Sequence, residues 1–154
     1  GEERSLSSGG DGQEGGGEVA TSYKNPEEAV RVVEVLEDIV RERGVGMGEI
    51  AVITPYNAQK ALLRGMLEEQ GLGGVEVNSV DGYQGRERRV VVFSCVRSNR
   101  RGDLGFLKDK RRMNVALTRA REALVVVGDL ECLKKAGGDW GEFVRMVEGE
   151  ENTK

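Results

Sequence analysis

The chain of 154 residues contains no histidine, which removes imidazole as a base, nucleophile or metal ligand. Its two cysteines, Cys95 in an apolar run and Cys132 in an expected helix, have no C-x-x-C spacing and supply too few ligands for zinc. They read as reduced, buried thiols of a cytoplasmic or nuclear protein. Aromatic residues are only 5% of the chain, so Val, Leu and Ile must build the core. No apolar run approaches the roughly 20 residues of a membrane span, and no basic-then-apolar leader opens the sequence, so neither a membrane partner nor a secretory signal is expected. There is no Gly-Lys pair anywhere, and hence no phosphate-cradling P-loop.

What is present suffices for one domain with a real core, since hydrophobic residues make up 38%. The net charge of −4 conceals an asymmetry. Between Arg86 and Arg121 there are 12 Lys or Arg against three acids, a local +9 that leaves −13 for the remainder. A basic zone of that size is an electrostatic footprint for phosphate, although a solvated basic face looks the same by count alone.

Residues 1–18 are rich in Gly, Ser and Glu and read as a flexible linker, and residues 148–154 as a polar tail. The domain is expected over 19–147. Asn25-Pro26 starts a helix, Asn as N-cap and Pro at the first helical position, and an apolar stripe carries it to about Arg43. A strand follows at Ile50 to Thr54. A helix is expected from Ala58 to Gln70 with Ala61, Leu62, Met66 and Leu67 inward, then strands at Val75 to Val80 and Val90 to Val96. Arg111 to Arg121 reads as a helix, Leu124 to Val127 as a strand, and two short helices close the chain. Strands apolar on both faces, alternating with helices, point to a mainly parallel sheet covered on both sides, an α/β fold. Functional residues of such folds gather where strands end.

Three strand-end segments are unusual. In Ile53-Thr54-Pro55-Tyr56-Asn57-Ala58-Gln59, proline ends the strand and Tyr56 either offers a flat face to a base or packs on the core. From Val77 to Glu87, a loop of small and polar residues with Gly82 and Gly85 can bring backbone N–H groups against phosphate and present Ser79 and Asp81. From Arg111 to Arg121, small apolar residues alternate with arginines, which suit bidentate phosphate binding or surface ion pairs. On a helical wheel Arg112 and Arg119 share a face. Gly44-Val45-Gly46-Met47-Gly48 follows a helix and precedes a strand, the reverse of a dinucleotide loop. Val125 to Asp129 reads as a strand and a turn, not as a metal-binding strand end.

Taken together, ITPYNAQ (53–59), VNSVDGYQGRERRVVVFSCVRSN (77–99), GFLKDKRRMNVALTRARE (105–122) and LVVVGD (124–129), with TSYKNPEEA (21–29) before them, resemble the superfamily 1 helicases of the up-frameshift and immunoglobulin mu-binding protein 2 type. The resemblance covers about residues 19 to 147. It implies a RecA-like three-layer sandwich, the second of two motor domains, whose N-terminal partner domain carries the P-loop and the Mg²⁺ ligands and holds ATP in the cleft between them.

Carried over by motif, Arg119 resembles the arginine that reaches the γ-phosphate, Glu87 the acid near the ribose, Gly85 the backbone approach to the nucleotide, and Gln84 a coupling residue. Contacts to single-stranded RNA or DNA fall on Thr54, Pro55 and Tyr56, on Ser79 and Asp81, and on Val96, Arg97, Ser98 and Asn99. The implied movement is 5′→3′, and a fragment without a P-loop is expected to be inactive alone. Some members of the family place an arginine after the Asn that is Asn25 here, implicated in reaching the γ-phosphate; Pro26 stands in its place. The alternative reading is a nucleic-acid-binding module that lost its P-loop domain and is no motor.

Overall fold

The computed structural model describes residues 3–6, 22–83, 86–99, 105 and 109–151. A short antiparallel pair, β1 (Arg4–Leu6) and β2 (Ser22–Lys24), precedes α1 (Pro26–Glu37), which runs on as a wider π-helical turn over Asp38–Glu42. Then come β3 (Ile50–Thr54), α2 (Asn57–Glu69), β4 (Glu76–Ser79), β5 (Arg88–Ser94), α3 (Lys110–Leu117), β6 (Ala120–Val127), α4 (Leu130–Ala136) and α5 (Gly138–Glu151). The four strands β3 to β6 form one wholly parallel sheet in the order β4-β3-β5-β6.

Alternation along the strands explains their uninterrupted apolar sequence, because both faces are covered. Ile50, Val52, Val77, Val90 and Val92 meet Ala29, Val32 and Leu36 of α1 and Leu63 and Leu67 of α2. Ala51, Ile53, Val91 and Phe93 point the other way, onto Met113 and Ala116 of α3 and Leu133, Trp140 and Val144 of α4 and α5. The result is the expected α/β, RecA-like three-layer arrangement. Among the described residues, no helix is long and apolar enough to cross a membrane. Cys95 and Cys132 are free and buried, and burial raises the pKa of both thiols.

Several boundaries move. In α2 the buried residues are Gln59, Leu63 and Leu67, while Ala61 is exposed and Leu62 and Met66 are half-buried. The inward stripe therefore turns by about one residue from the expected one, because Gln59 is drawn in by hydrogen bonds. The helix expected to Arg121 stops at Leu117, and β6 begins at Ala120. Arg119 consequently sits in a tight turn, and the expected shared helical face with Arg112 does not exist. The segment expected as linker contributes β1, and α5 runs to Glu151 into the expected tail. Among the described residues β6 has β5 on one side only, and Ala123 and Leu124 are exposed on it.

Candidate nucleotide and nucleic-acid surfaces

Parallel strands give the sheet two unlike ends, and the candidate residues divide between them. At the amino-terminal end, Glu87 directly precedes β5 and Arg119 directly precedes β6. The Arg88 N–H donates to the Arg119 carbonyl at 3.1 Å, which sets the two residues side by side. Glu87 is exposed and Arg119 half-exposed. The loop returning from β4 passes beneath them through Tyr83, which is buried at 1% exposure beside the charges of Arg88, Glu76, Arg86 and Arg119. Burial raises its phenol pKa, and its hydroxyl has no hydrogen-bond partner among the described residues. Arg86 and Arg88 converge on the Glu76 carboxylate at 3.3 and 2.9 Å, which anchors the end of that loop to β4. Gln84 and Gly85 lie outside the described residues.

The carboxyl-terminal end, about 20 Å away by the rise of a seven-residue strand, collects the other segments. Thr54 ends β3, Ser79 ends β4, and residues 95–99 follow β5. Their accessibility differs sharply. Pro55, Ser79, Ser98 and Asn99 are partly exposed and Asp81 fully, whereas Thr54 and Val96 have no exposed surface. The Thr54 hydroxyl has no partner among the described residues. Ser79 Oγ accepts the Gly82 N–H at 3.0 Å, and a Cβ on Gly82 would stand 2.9 Å from Asn78 Oδ1, so a side chain there would displace the Asn78 amide.

Tyr56 and Arg97 belong to the interior. Tyr56 is 8% exposed and meets the Tyr23 ring edge-on at 5.3 Å between centroids. The Arg97 guanidinium lies 4.1 Å over the Tyr23 ring, a cation–π contact, and its Nε donates to Glu3 at 2.6 Å. Burial works to lower the Arg97 pKa, but the hydrogen bonds with Glu3 and Tyr56 outweigh it and the pKa is raised. The Glu3 carboxylate also accepts from the Ser98 N–H at 3.1 Å and Asn99 Nδ2 at 3.4 Å. Sequence reading left Glu3 in a linker, and only its acidic charge, opposite in sign to Arg97, was there to see.

Two further acids complete this end. Ser98 Oγ donates to Asp129 Oδ2 at 2.6 Å, and Asp129 caps α4 by accepting the Cys132 N–H. Burial pushes its carboxyl up, yet these hydrogen bonds prevail and its pKa is lowered. Asp129 is thus a cap after a strand, as its sequence context suggests. Glu28, in the first turn of α1, is 6% exposed. Desolvation raises its pKa to about 7 against the opposing pull of its hydrogen bonds to Ser94 and Val96. It lines a hollow of about 340 Å³ with Asn25, Arg31 and Asp129. An apolar hollow of about 380 Å³ lies between α3 and α5 against Met113, Leu117, Trp140 and Phe143, and holds none of the candidate residues.

Residues 6–131 match the family model described as AAA domain. The chain is 42% identical over 130 residues to the DNA polymerase alpha-associated DNA helicase A of Saccharomyces cerevisiae, covering 81% of this chain and 19% of that protein. It is 43% identical over 130 residues to the regulator of nonsense transcripts 1 homolog of Arabidopsis thaliana (80% and 10%). With the DNA-binding protein SMUBP-2 of Rattus norvegicus it shares 47% over 112 residues (73% and 11%). The chain belongs to the superfamily 1 helicase family of the up-frameshift type.

The chain spans between a tenth and a fifth of the length of these relatives. For this helicase family ATP is the substrate, and the residues in hand fit one wall of a nucleotide cleft: an arginine and a carboxylate adjoin on one sheet end with exposed surface. No cluster of three or more His, Cys, Asp or Glu able to hold a metal occurs among the described residues.

Proposed function

We propose that this chain is the second motor domain of an ATP-dependent helicase, supplying an arginine finger to a nucleotide held chiefly by a first, P-loop domain. The observation that carries this is the backbone bond between Arg88 and Arg119, which makes Glu87 and Arg119 neighbours although 32 positions separate them in sequence. One contact suits the ribose region and the other a terminal phosphate. Arg119 stands on a turn anchored at both ends, its N–H donating to Ala116 and its carbonyl accepting from Arg88. Its backbone is thereby fixed, and its half-exposed side chain stands at the sheet end on which a cleft would open. A guanidinium presented to the transferring phosphoryl group stabilises the charge that develops on its oxygens.

At the opposite end of the sheet, Pro55, Ser79, Asp81, Ser98 and Asn99 offer the surface over which a single strand of RNA or DNA runs. Thr54, Tyr56, Val96 and Arg97 shape it from beneath. Contacts of this kind go mainly to phosphate and sugar, which gives binding without sequence preference. Closing the cleft over ATP and reopening it after hydrolysis then moves this surface relative to the first domain, with 5′→3′ travel inferred from the family resemblance.

The test is Arg119→Ala in the protein carrying both motor domains. Turnover of ATP is expected to fall by roughly 10³–10⁵-fold, with affinity for a single strand kept within about twofold of the parent. Normal hydrolysis by that variant, or measurable hydrolysis by the present chain alone, overturns the proposal.

A further inference from the structure

Val96 is the one described non-glycine residue with positive φ, at 69°, and it is wholly buried. The Arg97 N–H donates to the Cys95 carbonyl at 2.8 Å, so residues 95–97 form a γ-turn of the rarer, strained hand. A β-branched residue stays in that region only where its surroundings over-determine it. Here both polar groups of its backbone are taken by the start of α1. The Val96 N–H donates to Glu28 Oε2 at 2.7 Å, and Asn25 Nδ2 donates to the Val96 carbonyl at 3.1 Å.

These two residues are themselves fixed. Glu28 Oε2 also accepts from Ser94 Oγ at 2.5 Å. Asn25 exchanges backbone bonds with the Gln59 amide, donating its N–H at 2.8 Å and accepting from Nε2 at 3.2 Å, and Gln59 Nε2 reaches Ser94 Oγ at 3.3 Å. The ring so formed ties the first turn of α1, the first turn of α2 and the end of β5 to a single turn. Residues 97–99 leave that turn, and Ser98 and Asn99 among them are partly exposed on the carboxyl-terminal surface.

We propose that Asn25 and Glu28 are positioning residues that hold the Val96 turn in its left-handed form and thereby aim Ser98 and Asn99 at a nucleic-acid strand. This rests on the reading that the carboxyl-terminal sheet end meets a single strand. Neither residue need touch the strand. Asn25 has two separable tasks, since its Oδ1 caps α1 by accepting the Glu28 N–H at 3.1 Å while its Nδ2 serves Val96. Aspartate caps a helix as well as asparagine does but has no donor for the Val96 carbonyl. Glutamine at 28 keeps an oxygen for Ser94 and Val96, and its amide would face Gly128, the side on which a Cβ would lie 3.6 Å from Oε1.

The experiment compares Asn25→Asp, Glu28→Ala and Glu28→Gln in the full chain, reading anisotropy of fluorescent oligouridylate and oligothymidylate, with thermal unfolding to confirm the fold. Asn25→Asp and Glu28→Ala are expected to weaken binding about tenfold, or 1.4 kcal/mol, and Glu28→Gln to bind as the parent does. Adding Val96→Gly to Asn25→Asp should restore affinity, because glycine adopts positive φ without cost. Parental affinity in Asn25→Asp, or no restoration by Val96→Gly, overturns the proposal. If the parent chain binds neither oligonucleotide, the nucleic-acid reading fails instead. Amide exchange then decides the positioning role. Faster exchange at Val96 and Arg97 in Asn25→Asp, with Val91 and Val92 unchanged, sustains it, and unchanged protection at Val96 overturns it.

Discussion

The two ends of the sheet are built on opposite plans. At the amino-terminal end Glu87 and Arg119 project from backbone held by main-chain bonds, with surface exposed. At the carboxyl-terminal end the partly exposed Ser98 and Asn99 rest on a polar network, and Thr54, Arg97, Tyr56 and Val96 are almost wholly enclosed. On the proposed reading, an arm has a fixed root at the first end and a track is braced from below at the second. Changes at the first end should therefore cost activity, and changes to the buried residues of the second should cost stability first and binding only indirectly.

The largest effect that would break this contrast is the loss of turnover in Arg119→Ala, which should leave the thermal midpoint nearly unmoved, as expected of a half-exposed side chain. Should that variant unfold, Arg119 is a structural residue and the contrast fails. Next comes Glu28, whose folded pKa of about 7 exceeds the usual 4.5. The folded state then binds more protons than the unfolded one between those values, so stability falls as pH rises from about 4.5 to 7 and levels above. The difference is on the order of 3 kcal/mol. Glu28→Gln should flatten that slope and melt higher than the parent at pH 8, which thermal unfolding across pH reads directly.

Arg97→Ala leaves Glu3 beside an emptied site and removes the stack on Tyr23, and should lower stability by about 3 kcal/mol in urea titration. A loss of strand affinity with no loss of stability would instead make Arg97 a direct contact. The smallest change sharpens the comparison: Thr54→Val removes a buried hydroxyl without a partner among the described residues and should raise stability by about 1 kcal/mol. A loss of strand affinity in Thr54→Val would return that hydroxyl to the track.

Legibility followed the range of the forces involved. The Asn25-Pro26 start could be read because a cap is settled within three residues. The strands could be read because burial on both faces leaves continuous apolar runs. The start of β6 could not, since Arg121, Glu122 and Ala123 are exposed and their sequence continues a helical pattern. A tight turn at Thr118–Arg119 has no glycine or proline to announce it. Glu87 and Arg119 were singled out by motif resemblance, and the parallel register supplied the reason for their proximity. Glu28 resembled an ordinary acid in a first helical turn, because its partners Ser94 and Val96 lie 66 and 68 positions away. Glu3 was hidden in the same way, 94 positions from Arg97.

The outer strand β6 carries a last consequence. Eight residues long, it has a neighbour on one side only among the described residues and exposes Leu124 at 36%. An edge of that kind is a template for pairing with an extended segment. Arg121 and Glu122, at the start of the strand, are the charges that oppose it.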